Sequence, residues 1–182
     1  MNTKKKFKEI EQEYDNFYKE IYSKGKIPVR DTEMGIWGVS VAENVYELFK
    51  KINLKKYKNF LDLGSGDGKV VLIASLFTNA TGVEFDKELH EKAVEIRKKL
   101  KINPEKAELI KGDFLKHDFS KYDIIFINPD KGFHKGTEDK LLKEMNKKSK
   151  LFVYNFVFEP RFLKKGKKYW FKETPVTVYT KR

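Results

Sequence analysis

"LDLGSGDGKV", residues 61–70, decides how this chain folds. An apolar run stops on Gly64, Gly66 and Gly68, and "VVLIAS" follows at once. The pattern predicts a strand, a tight turn and the start of a helix. Glycines there let the backbone turn sharply and approach a ligand, with the first N–H groups of the helix left exposed. In an open sheet built from alternating strands and helices, such a loop sits outside the carboxyl ends of the strands, where ligands bind.

The alternation continues on both sides. "KNFLDL" (58–63), "ATGVEF" (80–85), "AELIKGD" (107–113), "YDIIFIN" (122–128) and "KLFVYNFVF" (150–158) read as strands. Helices are expected over 68–77, 86–100 and 137–147. Asp86 is placed to cap the second of these, and Leu89, Ala93, Ile96 and Leu100 form its buried face. Between 107 and 128 no helical pattern appears, so that crossover must be short or irregular. "KKYWFKE" (167–173) and "VTVYTKR" (176–182) read as a hairpin joined through Thr174-Pro175.

Upstream, Phe7, Ile10, Tyr14, Phe17 and Ile21 mark an amphipathic helix over 4–23, and residues 25–39 are loop-like. A helix is expected to open at Ser40, where Ser40-Val-Ala-Glu43 has the capping-box pattern, with Val41, Val45, Leu48 and Ile52 on one face. The expected architecture is α/β: a mostly parallel seven-stranded sheet with a C-terminal antiparallel hairpin and helices on both faces. The division expected is an N-terminal helical extension and loop, 1–39, and one ligand-binding domain, 40–182.

Composition narrows the classes. There is no cysteine, which excludes disulfides, thiolate metal sites and a cysteine nucleophile. His90, His117 and His134 are scattered without metal-ligand spacing, so no metal is expected. No apolar run approaches a membrane span and the start lacks an apolar leader, so a cytoplasmic protein with no membrane partner is expected. The net charge of +12 comes mostly from Lys, and fits a nucleic acid, an acidic partner or simple solubility. Arg161, Lys164, Lys165, Lys167 and Lys168, beside Tyr169 and Trp170, would either track a phosphate backbone or form a charged turn before an edge strand.

Two acids sharpen the glycine loop. Glu84 ends the next strand, about 20 residues on, a spacing that suits a carboxylate accepting from ribose hydroxyls. Asp62 precedes the first glycine by two residues and suits a ligand carrying positive charge; Lys69 stands where a dinucleotide loop prefers glycine. "LDLGSGDG", "GVEFD" (82–86), "KGDFL" (111–115) and "INPD" (127–130), in that order, resemble the four motifs of the class I S-adenosylmethionine-dependent methyltransferases, whose fold is Rossmann-like.

That resemblance implies a cofactor, S-adenosylmethionine, and roles for named residues. Gly64, Ser65 and Gly66 would line its methionine part, with Asp62 near the ammonium group. Glu84 would hold the ribose, Phe85 would pack on the adenine, and Asp113 would accept from the adenine amino group beside Phe114. In relatives that methylate amino groups of bases or glutamine, the fourth motif is Asn/Asp/Ser-Pro-Pro-aromatic. Its first side chain and a following backbone carbonyl accept from the amine, and the ring stacks on the acceptor. Here the match stops at Asn128-Pro129, because Asp130 replaces the second proline; Phe133 would serve as a displaced ring. Asp130 would accept from or deprotonate a cationic amine, or only cap a turn.

The whole outline, with its late "YNFVFEP", is similar to archaeal and mitochondrial protein-lysine methyltransferases and to the histone-lysine methyltransferases that lack a SET domain. The expected activity is methyl transfer to nitrogen on a macromolecule, with protein lysine ahead of an RNA base. Trp37 would stand at the cofactor mouth and Asn128 beside the methyl group. A non-catalytic binding module of the same fold is the rival from another class.

Overall fold

The computed structural model describes residues 3–130 and 136–182. Along the chain come α1 (Thr3–Ser23), β1 (Val29–Thr32), β2 (Gly35–Gly38), α2 (Ala42–Lys51), β3 (Asn59–Leu63) and α3 (Lys69–Ala74). Then follow β4 (Asn79–Glu84), α4 (Lys87–Lys99), β5 (Ala107–Lys111), β6 (Ile124–Ile127), α5 (Thr137–Glu144), β7 (Lys150–Tyr154), β8 (Lys164–Phe171) and β9 (Thr174–Thr180). Seven strands form one sheet in the order β5-β4-β3-β6-β7-β9-β8. The first five are parallel, and β9 runs antiparallel to both β7 and β8. The expected Rossmann-like sheet with its terminal hairpin is thus the observed one.

The pleat of the strands sorts two cores. Phe60, Ile124, Phe126 and Phe152 face α1, α2 and α3, together with Ile96 of α4. Leu61, Leu63, Ile125, Ile127 and Val153 face α5 and the segment around Phe119 and Tyr122. Apolar residues at consecutive positions mean burial on both faces, the signature of a parallel sheet. Each large side chain buried there contributes about 1.5–3 kcal/mol. The 107–128 crossover holds only a short 3-10 turn, Phe114–Lys116, in keeping with its missing helical pattern.

Strand order reverses between β3 and β6, so the chain leaves these neighbours in opposite directions. That opens a crevice at their carboxyl ends, beyond the paired Leu63 and Ile127. The glycine loop follows β3, and Asn128-Pro129-Asp130 follows β6.

Several local expectations are corrected. Residues 29–38 form a β-hairpin, β1 against β2, rather than a loop. Helix α2 starts at Ala42 after Val41, with no side-chain cap. Ser40 is instead engaged by Asn128, whose Nδ2 donates to its Oγ at 3.1 Å. The helix after the glycine loop is shorter than expected, and β7 ends at Tyr154, four residues early. The C-terminal hairpin turns at Lys172-Glu173, with Lys172 in the left-handed region (φ 54°), while Thr174 and Pro175 already pair with Phe171 and Trp170. Asp86 does cap α4, accepting from Leu89 N–H at 2.9 Å.

Helix α1 is built into the same core. Its Phe7, Ile10 and Tyr14 are buried against α2 and α3. Strand β8 is one edge of the sheet, and Lys164, Lys165, Lys167 and Lys168 on it are exposed, with a register shift between Lys165 and Lys168.

Candidate active site

The crevice is lined by residues of the glycine loop, the β1–β2 hairpin, the ends of β4, β6 and β7, and the 113–114 segment. Of the expected site residues, Trp37, Gly64, Gly66, Glu84, Phe85, Asp113, Phe114, Asn128, Pro129 and Asp130 line one part of it. Asp62 and Ser65 line the adjoining part, which also contains Gly64, Gly66, Asn128 and Asp130. Phe133 and His134 lie outside the described residues.

Gly66 shows why the loop needs glycine. Its φ is 54°, and a Cβ there would lie 2.7 Å from Trp37 Cδ1. The indole therefore rests directly on the loop backbone. The Gly66 backbone N–H donates to Glu84 Oε2 at 2.7 Å, while Glu84 Oε1 accepts from Asp86 N–H at 2.7 Å. Glu84 fixes the loop from beneath and keeps its remaining lone pairs for hydroxyl donors. Burial raises its pKa.

Asp62 is only 3% exposed, and among the described residues nothing hydrogen-bonds to its carboxylate. Burial pushes its pKa well up, and the nearby carboxylates of Glu84 and Asp67 push the same way. A buried carboxylate lining a cleft, with no ion pair of its own among the described residues, fits a ligand that brings a cation.

Two residues that sequence reading passed over complete this corner. Asp67 is buried, with Tyr18 Oη donating to its Oδ2 at 2.5 Å and Tyr14 Oη to its backbone oxygen at 2.7 Å. Lys69 is 4% exposed and lines the cleft, its Nζ 4.6 Å and 5.6 Å from the ring centres of Tyr18 and Tyr14. Burial lowers the Lys69 pKa and raises that of Asp67. The available signal was Tyr14 and Tyr18, two phenols one turn apart on the buried stripe of α1. Phenols in such a place require polar partners.

On the far side, Asp113 Oδ1 accepts from Leu115 N–H at 2.8 Å and caps the short turn, with Phe114 next to it. Phe85 carries the Lys111 ammonium 4.8 Å above its ring. At the end of β6, Asn128 Oδ1 accepts from Asn155 Nδ2 at 2.7 Å, and the same nitrogen donates to Pro129 O at 2.8 Å. Asp130 Oδ2 accepts from Ile36 N–H at 2.6 Å, so this carboxylate clasps the hairpin over the crevice. Arg30 anchors the same hairpin to α4 through Asp86 (2.6 Å) and Glu88.

Among the described residues no group of three or more His, Cys, Asp or Glu is placed to hold a metal, and no helix is long and apolar enough to cross a membrane.

Comparison with known proteins agrees with this geometry. Residues 32–172 match the family model "Histone methylation protein DOT1". No curated protein matches the chain by sequence. Among solved structures, an RNA methyltransferase from Salinibacter ruber, in complex with S-adenosyl-L-homocysteine, superposes with a TM-score of 0.65 at 17% identity, over 79% of this chain and 93% of that one. A putative methyltransferase from Escherichia coli gives 0.63 at 19% identity, over 85% and 90%. A putative methylase from Haemophilus influenzae gives 0.59 at 19%, over 78% and 90%. With a model matching most of its length and a sheet of this order, the chain belongs to the DOT1 histone methylation family, within the class I S-adenosylmethionine-dependent methyltransferases.

Proposed function

We propose that the protein transfers a methyl group to an amino nitrogen on a macromolecular acceptor, with protein lysine the favoured side chain. The observation that carries this reading is the pair Asn128 Oδ1 and Pro129 O. Both lie at the end of β6 beside the glycine loop, and both accept from a single nitrogen. Two oxygens that share one –NH2 will hold an amino group and leave its lone pair facing away from them. The rim adds apolar surface suited to a lysine stem, because Ile36, Phe156 and Val157 line the cleft and are exposed. The family description, histone methylation, points the same way.

The cofactor supplies a methyl group already activated on a sulfonium, which leaves proximity and orientation to the protein. Asp62 would take the ammonium of the methionine part and Lys69 its carboxylate. Gly64, Ser65 and Gly66 would allow close backbone approach. Glu84 would hold the ribose hydroxyls, and Asp113, Phe114 and Phe85 the adenine. Trp37, resting on Gly66, would bound the cofactor on its hairpin side. Asp130 contributes by holding the hairpin through Ile36 N–H.

An RNA base is the second reading, supported by the exposed lysines of β8 beside Trp170. Radiolabelled S-adenosylmethionine incubated with the protein and cell extract separates the two. Label that survives nuclease and is lost to protease supports lysine; the reverse supports RNA. Asn128→Ala should cut transfer sharply while leaving cofactor binding in place, and unchanged turnover would remove the oxygen pair from the mechanism.

A further inference from the structure

The pair of oxygens at the end of β6 already has an occupant. Asn155 Nδ2 is a –NH2 group with two hydrogens, and it meets Asn128 Oδ1 at 2.7 Å and Pro129 O at 2.8 Å. Building on the amino-acceptor reading above, we propose that the Asn155 carboxamide is an internal stand-in for the acceptor's amino group, which must displace it, making Asn155 a specificity-determining residue.

Three observations carry this. The geometry of the contact shows that the two oxygens are spaced for one –NH2, and hydrogen bonding alone does not distinguish a carboxamide from an amine. A carboxamide nitrogen, however, has its lone pair delocalised into the adjacent carbonyl. It satisfies both oxygens without being a nucleophile, so it stays beside an activated methyl group unchanged.

The occupant is also held in place. Asn155 adopts a left-handed backbone, φ 74°, a conformation that asparagine tolerates better than most residues. Its N–H donates to Pro175 O at 2.8 Å and its Oδ1 accepts from Val157 N–H at 2.8 Å. Finally, the next two residues are exposed, Phe156 at 73% and Val157 with it, so Asn155 can swing out with them while Leu163 further on stays in the core. In the free protein the stand-in prevents two acceptor oxygens from standing unpaired. An incoming group that offers two N–H donors replaces both bonds, and one that offers fewer leaves an oxygen unpaired.

Asn155→Gly removes the carboxamide and keeps the left-handed backbone without strain; Asn155→Asp keeps the size but turns the donor into a group the two oxygens repel. Both variants and wild type are assayed for methyl transfer to a lysine-containing peptide, with S-adenosylhomocysteine affinity followed by calorimetry. The expected result is a KM for the peptide lower by roughly tenfold in both variants, with kcat and cofactor affinity retained. A fall in kcat at unchanged KM would overturn the proposal, because Asn155 would then serve only to orient Asn128. If no protein methylates the peptide, the amino-acceptor reading fails, and nitrogen-15 NMR of the wild type loaded with S-adenosylhomocysteine decides the stand-in by itself. Methylammonium chloride should then shift the Asn155 side-chain amide signals, and signals that stay fixed would overturn the stand-in.

Discussion

Replacing Asp62 by Asn should move stability and cofactor affinity in opposite directions. The side chain is 3% exposed, has no hydrogen-bond partner among the described residues, and shares its surroundings with the carboxylates of Glu84 and Asp67. In the free protein an ionised Asp62 is therefore a cost, and its removal should stabilise the fold by about 1–3 kcal/mol. For a chain of this size about 2–4 °C accompanies each kcal/mol, so Tm should rise by roughly 2–12 °C. If, as proposed, the same carboxylate takes the cofactor's ammonium, losing a charge-assisted hydrogen bond of about 1.5–3 kcal/mol should weaken Kd by roughly 10- to 150-fold. Thermal unfolding of the free proteins and calorimetric titration with S-adenosylmethionine read the two effects separately. The pH dependence has a definite sign. The folded-state pKa of Asp62 lies above the unfolded value, so its stabilising contribution is complete below the unfolded pKa and is lost as pH rises through the folded one. Asp67 and Glu84 are raised as well and act in the same sense. Asp62→Asn should flatten the decline. A variant that loses stability and affinity together would refute the reasoning, because Asp62 would then be a structural hydrogen-bond partner.

Other substitutions probe the neighbouring parts. Gly66→Ala forces a Cβ to within 2.7 Å of Trp37 Cδ1 from a left-handed backbone, and should weaken cofactor binding at least roughly tenfold by calorimetry. Tyr18→Phe deprives buried Asp67 of its phenol donor and should cost about 1–3 kcal/mol in denaturant unfolding, together with weaker cofactor binding. Asp130→Ala releases the Ile36 N–H, and should raise the rate of limited proteolysis within 29–38 while sparing the global unfolding midpoint.

Most of the sheet was legible because parallel strands buried on both faces leave uninterrupted apolar runs such as "IIFI" and "LFVY". That the glycine loop and its acids line one cleft was legible for a related reason: their places at the ends of adjacent strands are set by backbone geometry. What escaped depends on partners far away in sequence. The β1–β2 hairpin has four-residue strands, "VRDT" and "GIWG", with no apolar run, and it is held by Asp130, Asp86 and Glu88. Ser40 carries a sound local capping pattern, yet Asn128, 88 residues on, claims its hydroxyl. Lys69 stood inside the opening motif, but its burial depends on Tyr14 and Tyr18 of a helix some 50 residues earlier. Asn155 read as one more residue of an extended strand, because only the fold brings the ends of β6 and β7 side by side.

The edge strand has a consequence for how this protein behaves in a crowd of its own copies. An unpaired sheet edge is a template on which any other strand can grow. On β8 that edge carries Lys164, Lys165, Lys167 and Lys168, all exposed, and its ladder is interrupted between Lys165 and Lys168. Two molecules meeting edge to edge would set like charges opposite each other across a broken register. These exposed lysines therefore oppose edge-to-edge growth of one copy on another. That protection is electrostatic, and it weakens as salt shortens the reach of charge to about 8 Å and below.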